Sequence, residues 1–218
     1  NWKPSGGVTP EERQLRSVLT DFRRGAVDWE VLEFELERHE VTNTELKVRV
    51  LLALAGGRPE TPDAWRVRLA YADAALSATQ DPVLRAGGWR ARGRALLELE
   101  DYGLADEALT AAARDNPSPS LLLALGRARL EAGRGQSASE AADRLLVLRP
   151  GSIEGLELRA RVQIALGLVA AAKKTAADCA RDHPGPRPRI LLGEVEAAFG
   201  GDPRPRWRQA LREFPKHS

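Results

Sequence analysis

Apolar residues recur along the chain at three- and four-residue spacing, the period of an α-helix with one buried face. Leu15, Val18, Leu19 and Phe22 follow Thr9-Pro10-Glu11-Glu12. That segment reads as a helix start: a Thr cap, Pro in the first turn and Glu three residues beyond the cap. Gly25 closes this helix, and Asp28 opens a second with Trp29, Leu32 and Leu36 on one face. Thr44 is expected to cap a third, which runs to Ala55 before Gly56-Gly57. Thr61-Pro62-Asp63 opens a fourth with the stripe Trp65, Leu69, Ala72 and Leu76. No alternating run rich in Val, Ile, Thr and Tyr occurs, and no Asn-Gly or Asp-Gly hairpin, so the pattern predicts an all-α chain.

Further along, the pattern repeats. Pro117, Pro150 and Pro184 stand 33 and 34 residues apart. The same spacings relate Trp89, Leu122 and Leu156; Gly93, Gly126 and Ala160; Ala105, Ala138 and Ala172; Leu109, Ala142 and Ala176; and Ala112, Leu145 and Cys179. Six sets in one register predict a helical pair per unit, since a fixed period of this length is the mark of a stacked-repeat architecture. Trp89, Gly93 and Leu96 share a helix face, and the small residue at its centre is expected to let the partner helix approach. Ala105, Leu109 and Ala112 pack back from the second helix. The proline ends that helix and sets the angle to the next unit.

These residues resemble the tetratricopeptide repeat family. The resemblance is carried by Trp89, Gly93, Asp101-Tyr102, Ala105, Leu109, Ala112 and Pro117 in one unit. Leu125-Gly126, Gly133, Ala138 and Pro150 carry it in the next, and Leu156, Ala160, Gly167, Ala172 and Pro184 in the third. It implies a right-handed superhelical solenoid of antiparallel helix pairs, about ten to twelve helices in all. The expected organisation is a single domain over 1–218, with degenerate pairs at 9–82, three clear units at 83–184 and an atypical unit at 185–218 marked by Leu192-Gly193, Gly200, Ala210 and Pro215. Atypical ends suit a solenoid, whose terminal units must cap the core. The stretch Asn1–Gly7 is expected to be a mobile tail.

The resemblance also implies a function. In such proteins the first helices of the units line a concave groove that holds partner peptides. The positions that follow the packing face would line it here: Arg90, Arg94 and Leu97; Leu123, Arg127 and Leu130; Glu157, Arg161 and Ile164. Arg94, Arg127 and Arg161 each follow the small packing residue and would form a ladder. Two readings stand. The ladder receives an acidic or C-terminal carboxylate segment, for which the planar guanidinium fork is suited. Alternatively, each arginine pairs four residues on, Arg94 with Glu98 and Arg127 with Glu131, and only solvates the groove. The family's carboxylate clamp uses groove asparagines, and the matching helices here have none.

Charge adds one asymmetry. Lys+Arg is 33 and Asp+Glu is 31, a net charge of +2, which gives no strong field for nucleic acid or an anionic membrane. Yet Asp28 to Glu45 contains seven acidic residues and one arginine, whereas Arg204 to Arg212 contains four arginines and no acid, with Trp207 among them. Opposite ends of opposite sign suit head-to-tail self-association, or are simply solvated outer faces.

Candidate chemistry is sparse. His39, His183 and His217 stand alone, no helical His pair, P-loop or Gly-x-Ser-x-Gly is present, and one cysteine, Cys179, excludes an internal disulfide and a cysteine-based zinc site. No catalytic residue, cofactor or metal is expected. No apolar run of about 18 residues occurs, so no bilayer-spanning segment is expected. The chain has no methionine, even at position 1, which suggests a processed or excised piece once preceded by a signal, anchor or another domain. With the arginine- and alanine-rich composition, this favours a bacterial protein of the periplasm or envelope over a cytoplasmic one. The expected function is a non-enzymatic scaffold or adaptor that binds a protein or peptide in its concave groove, in the assembly of a secretion, pilus or polysaccharide complex. The alternative is a self-assembling structural protein that uses its acidic and basic ends.

Overall fold

A computed structural model of the chain describes residues 9–57, 61–114 and 117–214, and these form twelve α-helices with no strand among them. Asn1–Gly7, Pro215 and His217 lie outside the described residues. The helices follow one another as six antiparallel hairpins: α1 (Pro10–Arg23) with α2 (Trp29–Arg38), α3 (Thr44–Ala55) with α4 (Pro62–Ala78), α5 (Pro82–Glu98) with α6 (Tyr102–Ala113), α7 (Pro119–Glu131) with α8 (Gly135–Leu148), α9 (Ile153–Ala165) with α10 (Val169–Asp182), and α11 (Pro186–Ala198) with α12 (Arg204–Glu213).

Helix starts follow the capping chemistry of the sequence. The Thr9 hydroxyl accepts from the Glu12 N–H at 3.1 Å, and Thr61, Asp81, Asp101, Ser118 and Ser152 cap their helices in the same way. The cap of α3 is Asn43, one residue before the expected Thr44, and it accepts from the Leu46 N–H at 2.9 Å. The reason lies in α1. The buried Glu12 carboxylate accepts from the Asn43 N–H at 3.1 Å and from the Thr42 hydroxyl at 3.0 Å, which fixes the chain in extended form just ahead of Thr44.

Helix ends repeat more strictly. After α1, α5, α7, α9 and α11 the backbone enters the left-handed region at Gly25, Glu100, Gly133, Gly167 and Gly200. The next N–H then reaches back over the last turn: Ala26 to Asp21 O, Asp101 to Leu96 O, Arg134 to Arg129 O, Leu168 to Gln163 O and Gly201 to Glu196 O, at 2.7–2.9 Å. This Schellman closure satisfies carbonyls the helix would leave open. Glycine adopts the conformation without penalty, and Glu100 (φ 62°) is the one described residue with a side chain that occupies it.

The chain divides into two compact units, Asn1–Asn116 and Pro117–Ser218. In the first, Leu15, Leu19, Leu32, Leu46, Val50 and Leu54 form one core cluster, with Val48, Leu51 and Ala75 in another. Along α4 the buried residue next to the expected Leu69 is Arg68. Its guanidinium lies over the Trp29 ring, 4.7 Å from the centroid, and donates to the Leu54 carbonyl at 2.6 Å. In the second unit, Ala138, Ala142, Leu158 and Val162 form one cluster, and Ala160, Ala172, Ala176, Cys179, Leu191 and Val195 another.

The second-helix register is fully confirmed by burial. Ala105, Ala138 and Ala172, then Leu109, Ala142 and Ala176, then Ala112, Leu145 and Cys179 are all at most 2% exposed. The first-helix small residue is more varied than the sequence suggested. A Cβ on Gly93 would lie 2.5 Å from Leu109 Cγ in its partner helix, and one on Gly193 would overlap the Trp207 ring in its own partner. At Gly126 the overlap is with Leu158 of α9, the next first helix, while the partner's Ala141 Cβ stands off at 3.4 Å.

Candidate partner-binding groove

Within the second unit, the first helices α7, α9 and α11 line a groove of about 510 Å³. Each helix supplies one apolar and one charged edge. Leu123, Arg127, Leu130 and Glu131 come from α7, Glu154, Glu157, Leu158 and Arg161 from α9, and Arg187, Ile190, Leu191 and Glu194 from α11. The i, i+4, i+7 spacing of Leu123, Arg127 and Leu130 places an exposed guanidinium between two half-buried leucines.

Two of the three arginines are already held. Arg161 forks onto Glu194, with Nε and Nη2 each 3.2 Å from Oε2. Arg187 donates to Glu157 at 2.7 Å and to Glu154 at 3.5 Å, and the hydrogen bond to Glu157 pushes the pKa of the Arg187 guanidinium up. Glu154 sits in the first turn of α9. A hydrogen bond from its own backbone N–H, the Ser152 hydroxyl at 3.0 Å and the nearby Arg187 hold its carboxyl below the usual carboxylate range. Arg127 and Glu131 have no ion pair among the described residues, with each other or with anything else. The groove thus offers one uncommitted cation and one uncommitted acid above an apolar floor.

The expected i,i+4 pairing is therefore not what holds the described arginines of this unit. Arg161 binds across to the next first helix, 33 residues on, because neighbouring first helices pack side by side. Glu194 follows Gly193 just as Arg161 follows Ala160, so the ladder position ends in an acid that takes up the last arginine.

Solved structures place this architecture. A tetratricopeptide repeat protein from Parabacteroides merdae ATCC 43184 superposes with a TM-score of 0.76 at 15% identity, over 96% of this chain and 81% of that one. The chain has the tetratricopeptide-repeat fold. YrrB, a TPR protein with an unusual peptide-binding site, matches with a TM-score of 0.60 at 17% identity, over 80% of this chain and 88% of its own. MamA from Desulfovibrio magneticus RS-1 matches with a TM-score of 0.65 at 18% identity, over 82% of this chain and all of its own. No family model and no curated protein matches the sequence.

On this tetratricopeptide fold, five of the nine expected groove residues come together: Leu123, Arg127, Leu130, Glu157 and Arg161. Ile164 does not join them; it packs half-buried against the α9–α11 core. Arg90, Arg94 and Leu97 belong to the other unit, where Arg94 lies over the Trp65 ring, 5.5 Å from its centroid, Arg90 is exposed and Leu97 half-buried. The sequence reading missed Glu194, Ile190 and Arg187. The repeat register pointed to the first two, since Ile190 falls where Leu123 and Glu157 do. It also missed a second groove of about 380 Å³ in the first unit, where Arg16, Thr20 and Arg23 of α1 face Asn43, Glu45 and Arg49, with Arg49 bound to Glu45 at 2.7 Å. Among the described residues no group of three or more His, Cys, Asp or Glu is placed to hold a metal, and no helix is long and apolar enough to cross a membrane.

Proposed function

We propose that the chain is a non-enzymatic interaction scaffold whose α7–α9–α11 groove receives an extended segment of a partner protein. Apolar side chains of that segment rest on Leu123 and Leu130, and an acidic side chain or terminal carboxylate meets Arg127. The observation that supports this is the division of labour in the groove: Arg161 and Arg187 are neutralised by glutamates, and Arg127 is not. A carboxylate meeting this guanidinium gains a charge-assisted hydrogen bond, while Leu123 and Leu130 offer apolar surface to the side chains on either side of it. That YrrB is described by its peptide-binding site favours the same use of the fold here. Assembly of an envelope complex is a setting consistent with such a scaffold.

The test is a peptide-display selection on the native chain, followed by calorimetric titration of the selected peptides. Arg127→Glu is expected to weaken binding at least tenfold, and Arg161→Gln/Glu194→Gln, which removes that ion pair without changing the groove's net charge, to change it less than threefold. Helical circular dichroism checks that both variants fold. Equal losses for the two variants, or selected peptides with no carboxylate preference, would sink the assignment.

A further inference from the structure

The first and last helix pairs each leave an apolar stripe uncovered, and the charges beside the two stripes have opposite sign. On α2, Leu32 and Glu35 turn to the core, which puts Val31 (42% exposed) and Phe34 (58% exposed) on the far side of the helix. Glu30, Glu33 and Glu37 run beside them at i, i+3 and i+7. This acidic edge is crowded. Burial and the neighbouring Glu37 push the Glu33 carboxyl up, against the pull of Arg68, and Glu30 and Glu37 have no ion pair among the described residues.

At the other end, Trp207, Leu211 and Phe214 of α12 and its C-cap form an apolar groove of about 250 Å³ with Pro186 and Ile190 of α11. Leu211 is 55% exposed. These three positions stand 35 residues beyond Ala172, Ala176 and Cys179, which Leu191 and Val195 of α11 cover completely. In α12 no described helix takes the place of α11, and large side chains stand where small ones did. Arg204, Arg208 and Arg212 flank the stripe at four-residue intervals. Arg204 is held by Asp202, while Arg208 and Arg212 have no ion pair among the described residues.

We propose that these two faces bind each other head-to-tail between two copies of this chain. Val31 and Phe34 of one copy fill the groove at Trp207 and Leu211 of the next, and Glu30 and Glu37 meet Arg208 and Arg212. A second copy is the indicated occupant because one chain carries both complementary halves. Like-with-like pairing of either face would set arginine against arginine or glutamate against glutamate, which is costly at close range. The contact is heterologous, so one bond leaves a free face at each end for the next. It shares Ile190 with the α7–α9–α11 groove but uses none of that groove's charged residues and does not depend on its function.

Sedimentation velocity of the full chain over a concentration series tests it. The native chain is expected to grow beyond a dimer as concentration rises, and to dissociate at least tenfold more readily in high salt. Phe34→Asp and Leu211→Asp each change an exposed position, and each alone is expected to be monomeric. Mixed one to one they should form a dimer and stop there, since the first keeps an intact α12 groove and the second an intact α2 face. The chains Arg208→Glu/Arg212→Glu and Glu30→Arg/Glu37→Arg should each be monomeric alone and, because mixing restores opposite charges at both contacts, should grow beyond a dimer when combined, which keeps the test decisive if Leu211→Asp fails to fold. A native chain that stays monomeric overturns the proposal. So does a Phe34→Asp chain that still self-associates, or a mixture that does not pair.

Discussion

Between α7 and α10 the helices meet through Ala138, Ala142, Ala172, Ala176 and Cys179; between α1 and α4 they meet through Leu15, Leu19, Leu32, Leu46 and Leu54, with Glu12, Glu35 and Arg68 buried among them. Small residues bring helix axes close and permit little variation in size, because a close-packed interior has no room to spare. Large aliphatic residues hold helices further apart and leave gaps that polar side chains bridge. In the N-terminal region those bridges run to backbone groups: Glu12 to the turn before α3, and Arg68 to the end of α3. Gln14 and His39 both reach Glu35, at 2.9 and 3.1 Å. The first arrangement is repetitive and the second is particular to its place.

The comparison breaks first at Arg68. Arg68→Met keeps most of the bulk but removes the hydrogen bond to Leu54 and the charge over Trp29. It is expected to cost about 2–3 kcal/mol, the scale of a buried carbonyl left without its partner plus a lost cation–π contact. Urea unfolding measures it, and a loss below about 0.5 kcal/mol would mean that the polar bridges are incidental. In the regular region the matching test is Ala176→Leu. Overpacking there should cost about 1–3 kcal/mol, and a neutral result would show that the small residues do not set the helix spacing.

A smaller effect of opposite sign is expected at the turn between α5 and α6. Glu100→Gly places in the left-handed position the residue that Gly133, Gly167 and Gly200 supply elsewhere. Relief of strain at Glu100 outweighs the added freedom of the unfolded chain, for a net gain of about 0.5–1 kcal/mol in thermal unfolding. Smallest is Glu33→Gln, which keeps an acceptor for the Tyr71 hydroxyl and removes a charge that burial, Glu37 and Glu30 disfavour, against the pull of Arg68. An acid whose folded pKa is raised is a cost above that pKa, relieved as pH falls through it. The variant should therefore be slightly more stable at neutral pH, by under about 0.5 kcal/mol, and the gap should close in acid. A gap independent of pH would assign the effect to something other than the charge.

What could be read in the sequence follows the same division. Where packing repeats, residues repeat: Ala105, Ala138 and Ala172 announced their burial by spacing alone. Where packing is particular, no spacing announces it. Arg68 falls off the apolar stripe that marks α4, and only the tertiary placement of Trp29 and Leu54 gives its guanidinium partners. The cap of α3 moved from Thr44 to Asn43 for a contact made by Glu12, 31 residues away. In the groove, Arg127 and its leucines followed from the register. The pairing of Arg161 with Glu194 did not, since it joins neighbouring first helices and requires knowledge of which side chains they turn to each other. Arg90, Arg94 and Leu97 share that register yet face different neighbours, which the period alone does not encode.

Cys179 lies wholly buried where α9, α10 and α11 meet, and burial pushes its thiol pKa up. As the chain's sole thiol, it is also a clock. A thiol-specific reagent must wait until those helices part, so its rate of labelling, divided by the rate on the denatured chain, gives the equilibrium constant for opening that core. The other unit carries no cysteine and stays silent in the same experiment, which turns one ordinary packing residue into a selective gauge of how often half of the molecule lets go.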